Sequence, residues 1–247
     1  MKEKVLSEIR EALKEHSPNL MDEQKLRRYR IINPDTSSYI IYGMKIAAIE
    51  KIIKEIDNKY KNSYSFAVEI FKDLSSSNIE EQKFAGLFYI NRYKKFFDTN
   101  TINLFKIELL KHCHTWSYCD STCIRVIGPF LAKKGNEALA KRTIDDWAST
   151  DNIWIRRASM VILLKIIMVK KTFNENYVFN HINKMLNYID QNYIEKGIGW
   201  LLKTCSNYKP DIIFDYLMFN KDILSRLILR YASEKLSKDK RIEVLKK

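Results

Sequence analysis

Apolar residues recur at helical spacing along most of the chain. In IIYGMKIAAIEKIIKEI (40–56) and SMVILLKIIMVKK (159–171) they fall at i, i+3, i+4 and i+7. The alternation typical of strands is scarce, and only 6 Gly and 4 Pro interrupt 247 residues. The pattern therefore predicts an all-α protein.

Short polar segments separate the helical runs and are predicted to be connectors. They are NPDTSS (33–38), SSSN (75–78), DTNT (98–101), KKGN (133–136), ASTDN (148–152) and NYKPD (207–211). Because these connectors are short, neighbouring helices are expected to run antiparallel.

A weak repeat underlies the helices. Five segments have polar residues, then a small residue, then an apolar run: EQKFAGLFYI, CDSTCIRVIG, WIRRASMVIL, EKGIGWLLKT and SRLILRYASE. They recur about every 35 to 40 residues, the period of a two-helix HEAT-type repeat. We expect residues 1–247 to form a single domain, an α-α superhelix (a HEAT-like repeat solenoid) whose second helices line a concave face. A closed helical bundle is the alternative, because its amphipathic helices produce a similar pattern.

Composition limits the class of protein. A hydrophobic content of 46% can supply a sizeable core. The N-terminal MKEKVLSEIREALKEH lacks the apolar region of a signal peptide, and no apolar run reaches the length of a membrane span. We therefore expect a soluble protein that is not secreted and has no membrane partner: cytoplasmic and nucleoid-associated, or nuclear in a eukaryote. The four cysteines are expected to be free thiols.

The charge balance points to a polyanionic partner. Lys and Arg number 43 against 30 Asp and Glu, which gives a formal net charge of +13. Such a charge attracts nucleic acid or anionic membranes, but a Lys-rich solvated surface has the same composition.

Histidines and cysteines cluster in LLKHCHTWSYCDSTCIRVIG (109–128). Cys119 and Cys123 are one helical turn apart and could share a zinc ion, which needs four converging ligands. The adjacent His112, Cys113 and His114 cannot easily all face that ion. A redox pair is disfavoured because no C-x-x-C occurs. We expect no metal and no cofactor here.

The same segment contains Trp116 and Asp120. On one helix, their i, i+4 spacing places the indole beside the carboxylate. The structural interpretation is a capping box, Ser117-x-x-Asp120, with Asp120 at a helix N-terminus and Trp116 buried. Both interpretations can hold together.

Further aromatic and basic residues follow at repeat spacing. DDWASTDNIWIRRAS supplies Trp147, Trp154, Arg156 and Arg157, and KGIGWLLK supplies Trp200. A single tryptophan is more often a core residue than a site residue. Their recurrence with arginines and a carboxylate favours a site.

Taken in order, Trp116-x3-Asp120, WASTDNIWIRRAS, KGIGWLLK and LILRYASEKL resemble the HEAT-like-repeat DNA alkylation repair glycosylases. The resemblance extends from about Tyr42 to the C-terminus. It implies a concave basic DNA-binding face and metal-independent hydrolysis of the N-glycosidic bond of positively charged N3- or N7-alkylpurines in duplex DNA, by a monomer.

Site residues follow from this resemblance. It implies that Asp120 is catalytic, that Trp116 and Trp200 pack against the deoxyribose of the lesion, and that Arg157 contacts the DNA backbone. Arg156 and Trp154 are further candidates for DNA binding. Tyr29 matches the family's N-terminal tyrosine only if several residues are inserted before Gly43.

Two other classes of protein stay open. The first is a HEAT-repeat DNA-binding protein without glycosylase activity. This class accounts for the charge and the repeats, but the feature that it explains least is a carboxylate in a positive groove. A structural scaffold predicts that Arg156, Arg157 and the lysines of 131–142 scatter over different faces.

Overall fold

The computed structural model describes residues 1–32, 39–189 and 191–246, except for the side chains of 30–32. Within these ranges the backbone is helical apart from connectors and one isolated bridge between Ile40 and Ile79. The all-α prediction is confirmed. The predicted connector 33–38 lies outside the described residues. No helix of the described part is long and apolar enough to cross a membrane.

The chain divides into two compact units, Met1–Thr122 and Cys123–Lys247. The first unit contains helices α1 to α7: Lys2–Glu15, Asp22–Ile32, Ile46–Tyr60, Tyr64–Ser75, Glu80–Asn91, Thr99–His112 and Trp116–Thr122. The second contains α8 to α15: Gly128–Leu131, Glu137–Ala148, Ile153–Lys170, Glu175–Leu186, Asn192–Ser206, Pro210–Phe219, Arg226–Ala232 and Lys238–Leu245.

The other predicted connectors coincide with helix ends. In DTNT, the Asp98 carboxylate accepts the Thr101 N–H at 2.8 Å while the Thr101 hydroxyl accepts the Asp98 N–H, a capping box that starts α6. In ASTDN, Asn152 Oδ1 accepts the N–H groups of Trp154 and Ile155 and starts α10. These caps stop one helix and begin the next because they satisfy N–H groups that have no partner within the helix.

Each unit is built around the helices that carry the repeat segments. In the first unit α5 packs against α1, α3, α4 and α7, and its residues from Glu80 to Ile90 are all buried. In the second, α10 packs against α8, α9 and α12, and α12 also contacts α14. Three of the repeat segments thus mark heavily buried helices, α5, α10 and α12. The concave face and the single domain stay predictions.

One buried histidine makes the stability of the second unit dependent on pH. His181, on α11, is 5% exposed, and its Nε2 lies 3.2 Å from the Ser159 hydroxyl. Burial lowers the pKa of His181 to about 4 from 6.5, against the opposing effect of Asp145. Below pH 6.5 the unfolded chain therefore binds a proton that the folded chain does not bind until about pH 4.

We expect His181 to cost the wild-type protein about 3 kcal/mol of stability as the pH falls through this window. His181→Gln keeps a polar atom near Ser159 without gaining the charge, so its free energy of unfolding should fall less between pH 7 and pH 4. Urea unfolding of both proteins at these two pH values measures the difference. Equal losses in both proteins would show that His181 titrates alike in the folded and unfolded states.

Candidate functional site

Helix α7 begins at the centre of the histidine- and cysteine-rich segment. The Thr115 hydroxyl accepts the Tyr118 N–H at 3.1 Å, and the Thr115 carbonyl accepts the Cys119 N–H at 3.2 Å. Thr115 is therefore the N-cap. The predicted capping box is wrong: Ser117 lies inside α7, and Asp120 lies beyond its first turn.

Trp116 and Asp120 both lie on α7, one helical turn apart, as their spacing predicts. Asp120 is 8% exposed, whereas Trp116 is half-buried. A buried carboxylate next to a partly accessible indole can face a bound ligand while little water reaches the charge. This is the arrangement required of a group that stabilises a developing positive charge.

The backbone changes directly after α7. Residues Cys123–Ile127 form a π-helix, and α8 follows without a connector. Such π-helical turns are rare and frequently occur at functional sites. Hydrophobic spacing does not reveal it, and our sequence analysis missed it.

The cysteines of this segment are buried free thiols, as is Cys205, and this prediction is confirmed. Burial raises the pKa of the Cys113 thiol well above its usual value, and a hydrogen bond with Cys119 raises it further. In the described ranges no group of three or more His, Cys, Asp or Glu side chains is placed to hold a metal ion. The thiols are packing residues of their helices.

One face of α5 supports the start of α7. Its members Glu80, Lys83 and Phe84 have the i, i+3, i+4 spacing that places side chains together. Phe84 meets the Tyr118 ring edge-on at 6.1 Å between centroids, and Lys83 Nζ lies 5.6 Å from the same ring. The spacing was available in the sequence, but nothing there identified α7 as the partner.

Lys83 is a buried cation with a structural task. Its ammonium group donates to the carbonyl oxygens of Ser75 and His112, the last residues of α4 and α6. Burial lowers the pKa of Lys83 to about 8. A cation at two helix C-termini compensates their negative partial charge, so Lys83 fixes where α6 ends and α7 can begin.

Tyr29 lies on α2 in the first unit and is half-buried. Its phenol oxygen accepts the N–H of Ile41 at 3.1 Å. The phenol thus joins α2 to the segment that precedes α3. Its place in DNA binding stays a prediction.

The predicted residues of the second unit lie on α10 and α12. Trp154 and Trp200 are half-buried, in contrast to Trp147, which is 1% exposed and belongs to the core. The rings of Trp154 and Tyr193 lie 4.9 Å apart between centroids. The structure thus brings Trp154 next to an aromatic residue of α12 that sequence reasoning had not selected.

Arg157 connects the same two helices. It is 5% exposed and donates through Nη1 to the carbonyl oxygen of Tyr193. Gly197 of α12 lies close to α10, because a Cβ there would lie 2.6 Å from Met160 Cε. The glycine of KGIGW therefore serves the packing of α12 on α10.

Arg156 is more deeply buried, at 2% exposed. Its guanidinium lies 3.5 Å from the centroid of the Tyr188 ring, and Nη2 donates to the Thr150 carbonyl at 2.6 Å. Within the described part of the chain, its Nε has no hydrogen-bond partner. These contacts hold the ASTDN connector against α10, and a contribution of Arg156 to DNA binding stays a prediction.

Comparisons with known proteins agree with this architecture. Residues 9–236 match the model of the DNA alkylation repair enzyme family. A solved structure, described as a predicted DNA alkylation repair enzyme from Enterococcus faecalis, is similar with a TM-score of 0.73 and 16% sequence identity, over 88% of this chain and 96% of that chain. At this identity the likeness establishes the fold alone. No curated protein matches the chain.

Proposed function

Because this chain belongs to the DNA alkylation repair enzyme family, we propose that it is a glycosylase that hydrolyses the N-glycosidic bond of positively charged alkylated purines in duplex DNA. Membership of the family itself supports a role in DNA alkylation repair. The observation that favours hydrolysis is the pair on α7, a buried Asp120 one turn from the half-buried indole of Trp116.

The lesion itself supplies part of the driving force. An N3- or N7-alkylpurine carries a positive charge, so the base leaves with the electrons of the glycosidic bond and becomes neutral. The positive charge moves to the sugar, where a carboxylate and the face of an indole stabilise it more than they stabilise the substrate. Asp120 and Trp116 are the groups that we assign to this task.

Water completes the reaction. Its oxygen forms the new bond to the anomeric carbon of the deoxyribose, and its proton is released as the hydroxyl forms. Asp120 can orient this water and accept the proton. No atom of the protein needs to become bonded to the sugar.

DNA contacts are assigned to residues of both units. We propose that Trp200 packs against the deoxyribose, and that Arg157, Arg156, Trp154 and Tyr29 take part in binding the DNA. Both arginines are buried. They would therefore act mainly by shaping the surface that α10 and α12 present, and Trp154 and Trp200 offer the more accessible contact area.

The electrostatic part of this proposal predicts binding that depends strongly on salt. With a net charge of +13, binding to undamaged duplex should show little sequence preference. For roughly five phosphate contacts, log K should fall against log salt with a slope near −4 to −5. Fluorescence anisotropy between 50 and 300 mM salt measures it, and a flat dependence would contradict binding through phosphates.

The experiment that tests the activity is release of free 7-methylguanine from alkylated duplex DNA by the wild-type protein, with and without a chelator. Release in both conditions would support metal-independent hydrolysis. If the chelator abolished release, the reaction would require a metal, contrary to the proposal. Intact DNA would contradict the glycosylase assignment.

Two alternatives are a HEAT-repeat DNA-binding protein without glycosylase activity and a structural scaffold, and one observation favours the scaffold. Arg156 and Arg157 are buried, whereas Lys133, Lys134 and Lys141 are exposed, so these cations do not share one accessible surface. Salt-sensitive binding without base release would support the binding protein. Neither binding nor release would support the scaffold.

A further inference from the structure

Glu80 stands out among the buried groups that the proposed reaction does not use. It is the first residue of α5 and is 3% exposed. Its carboxylate accepts hydrogen bonds from the hydroxyls of Tyr39, Thr115 and Ser117. Two of these three donors belong to the start of α7, immediately before and after Trp116.

The Thr115 hydroxyl connects the N-cap of α7 to Glu80. The Thr115 hydroxyl accepts the Tyr118 N–H at 3.1 Å as the N-cap of α7, so its own hydrogen is available for Glu80 Oε1 at 3.4 Å. Thr115 is fully buried. The N-cap of α7 is therefore linked directly to α5.

Burying this carboxylate is costly. Burial raises the pKa of Glu80, and the hydrogen bonds from Tyr39 and Ser117 only oppose that effect. A neutral residue of the same shape would avoid the cost. An ionisable group retained in a core at a cost to stability suggests a task other than stability.

We propose that Glu80 is a positioning residue of the glycosylase site: through the hydroxyls of Thr115 and Ser117 it sets the placement of Trp116 and Asp120. The inference rests on the proposed function. It adds a buried residue that acts through the start of α7. Since Trp116 starts α7, a small rotation of this N-terminus moves the indole and the carboxylate together.

Glu80→Gln tests the placement, because it keeps the shape of the side chain and removes one acceptor oxygen and the charge. Single-turnover release of 7-methylguanine should slow by about 10- to 100-fold, the effect of a displacement on the order of 1 Å at a reacting centre. The affinity for undamaged duplex should not change. Exchange of the α7 backbone amides, followed by mass spectrometry, should become faster.

Glu108→Gln is the matched control. Glu108 is also a buried carboxylate of the first unit, at 5% exposed, but the hydrogen bond that it accepts comes from the Ser75 hydroxyl of α4, at 2.5 Å. This variant should release base at the wild-type rate, with α7 exchange unchanged. Wild-type release by Glu80→Gln, or equal slowing in both variants, would overturn the proposal.

A pair of substitutions at Thr115 tests the same link from the other side. Thr115→Val removes the hydroxyl and should slow release as Glu80→Gln does, whereas Thr115→Ser keeps the hydroxyl and should restore the rate. The double variant Glu80→Gln/Thr115→Val should be slowed by less than the product of the two single effects, because both substitutions weaken the same Thr115–Glu80 contact. If the effects of the two substitutions on the rate multiplied, or if Thr115→Ser released base slowly, the link between Glu80 and Thr115 would be contradicted.

The two proposals fail in different ways. A wild-type protein that binds duplex DNA and releases no base refutes the glycosylase, and the inference about Glu80 with it. An active wild-type protein whose Glu80→Gln variant is equally fast refutes only the positioning role.

Discussion

Replacing Asp120 by Asn is expected to slow the release of 7-methylguanine by about 10²- to 10³-fold. This is the loss when one preorganised electrostatic contact worth roughly 3 to 4 kcal/mol is removed from a transition state. Asn has nearly the shape of Asp but no charge to oppose the positive charge that develops on the sugar. Single-turnover kinetics with saturating protein measures the effect without interference from product release.

Stability and affinity should respond differently to the same substitution. Asp120 is not the N-cap of α7, since Thr115 fills that position, so the helix start is unaffected. We expect the free energy of unfolding to change by no more than about 1 kcal/mol. Affinity for undamaged duplex should hold or rise slightly, because one negative charge is removed near the phosphates.

Asp22→Asn is a suitable control. It makes the same change of charge on a fully exposed side chain of α2. It should leave release of 7-methylguanine at the wild-type rate. If Asp120→Asn matched it in rate and stability, the catalytic assignment of Asp120 would be refuted. If Asp120→Asn lost activity only in proportion to unfolded protein, the role would be structural.

Sequence reasoning predicted the helices and most connectors because both have local causes. Periodic apolar residues define a buried helix face, and the caps Asp98 and Asn152 stand within the polar segments that separate the helices. The shared helix of Trp116 and Asp120 was predictable for the same reason, since i, i+4 spacing is a local property.

The cap of α7 was mispredicted because the choice between two hydroxyls is not local. Thr115 and Ser117 can both cap a helix. Thr115 takes that place in the folded protein, where it is buried between the Tyr118 N–H and Glu80, a residue 35 positions earlier in the chain. Nothing near Thr115 in the sequence indicates this partner.

The polar residues at the start of α5 are buried, which their sequence does not indicate. Residues 80–83 have the sequence EEQK, typical of a solvated helix start, yet all four are buried. Their partners come from distant segments: the turn before α7 for Glu80, two helix C-termini for Lys83, and the residues before α3 for Glu81. Hydropathy describes a residue without its partners, so it does not show that these side chains are buried.

Removing the Glu81 carboxylate should cause a large loss of stability. Glu81 accepts the backbone N–H groups of Tyr42, Gly43 and Met44 at 2.9, 2.7 and 3.2 Å. Gly43, the central donor, has a φ of +85°, a left-handed conformation that glycine adopts without strain. Glu81→Ala leaves three donors without an acceptor, and we expect it to lower the free energy of unfolding by about 2 to 4 kcal/mol.

Glu81→Gln distinguishes the hydrogen bonds from the volume of the side chain. Its single carbonyl oxygen can still accept from Gly43 and Met44, which both donate to Oε1, while Tyr42 loses its acceptor at Oε2. The loss of stability should therefore be smaller than in Glu81→Ala, about 1 kcal/mol. Urea unfolding of the three proteins ranks them, and hydrogen exchange at residues 42–44 should become faster in the same order. If Glu81→Ala were as stable as the wild type, water would have to replace the carboxylate at all three N–H groups, and the segment before α3 would not depend on Glu81.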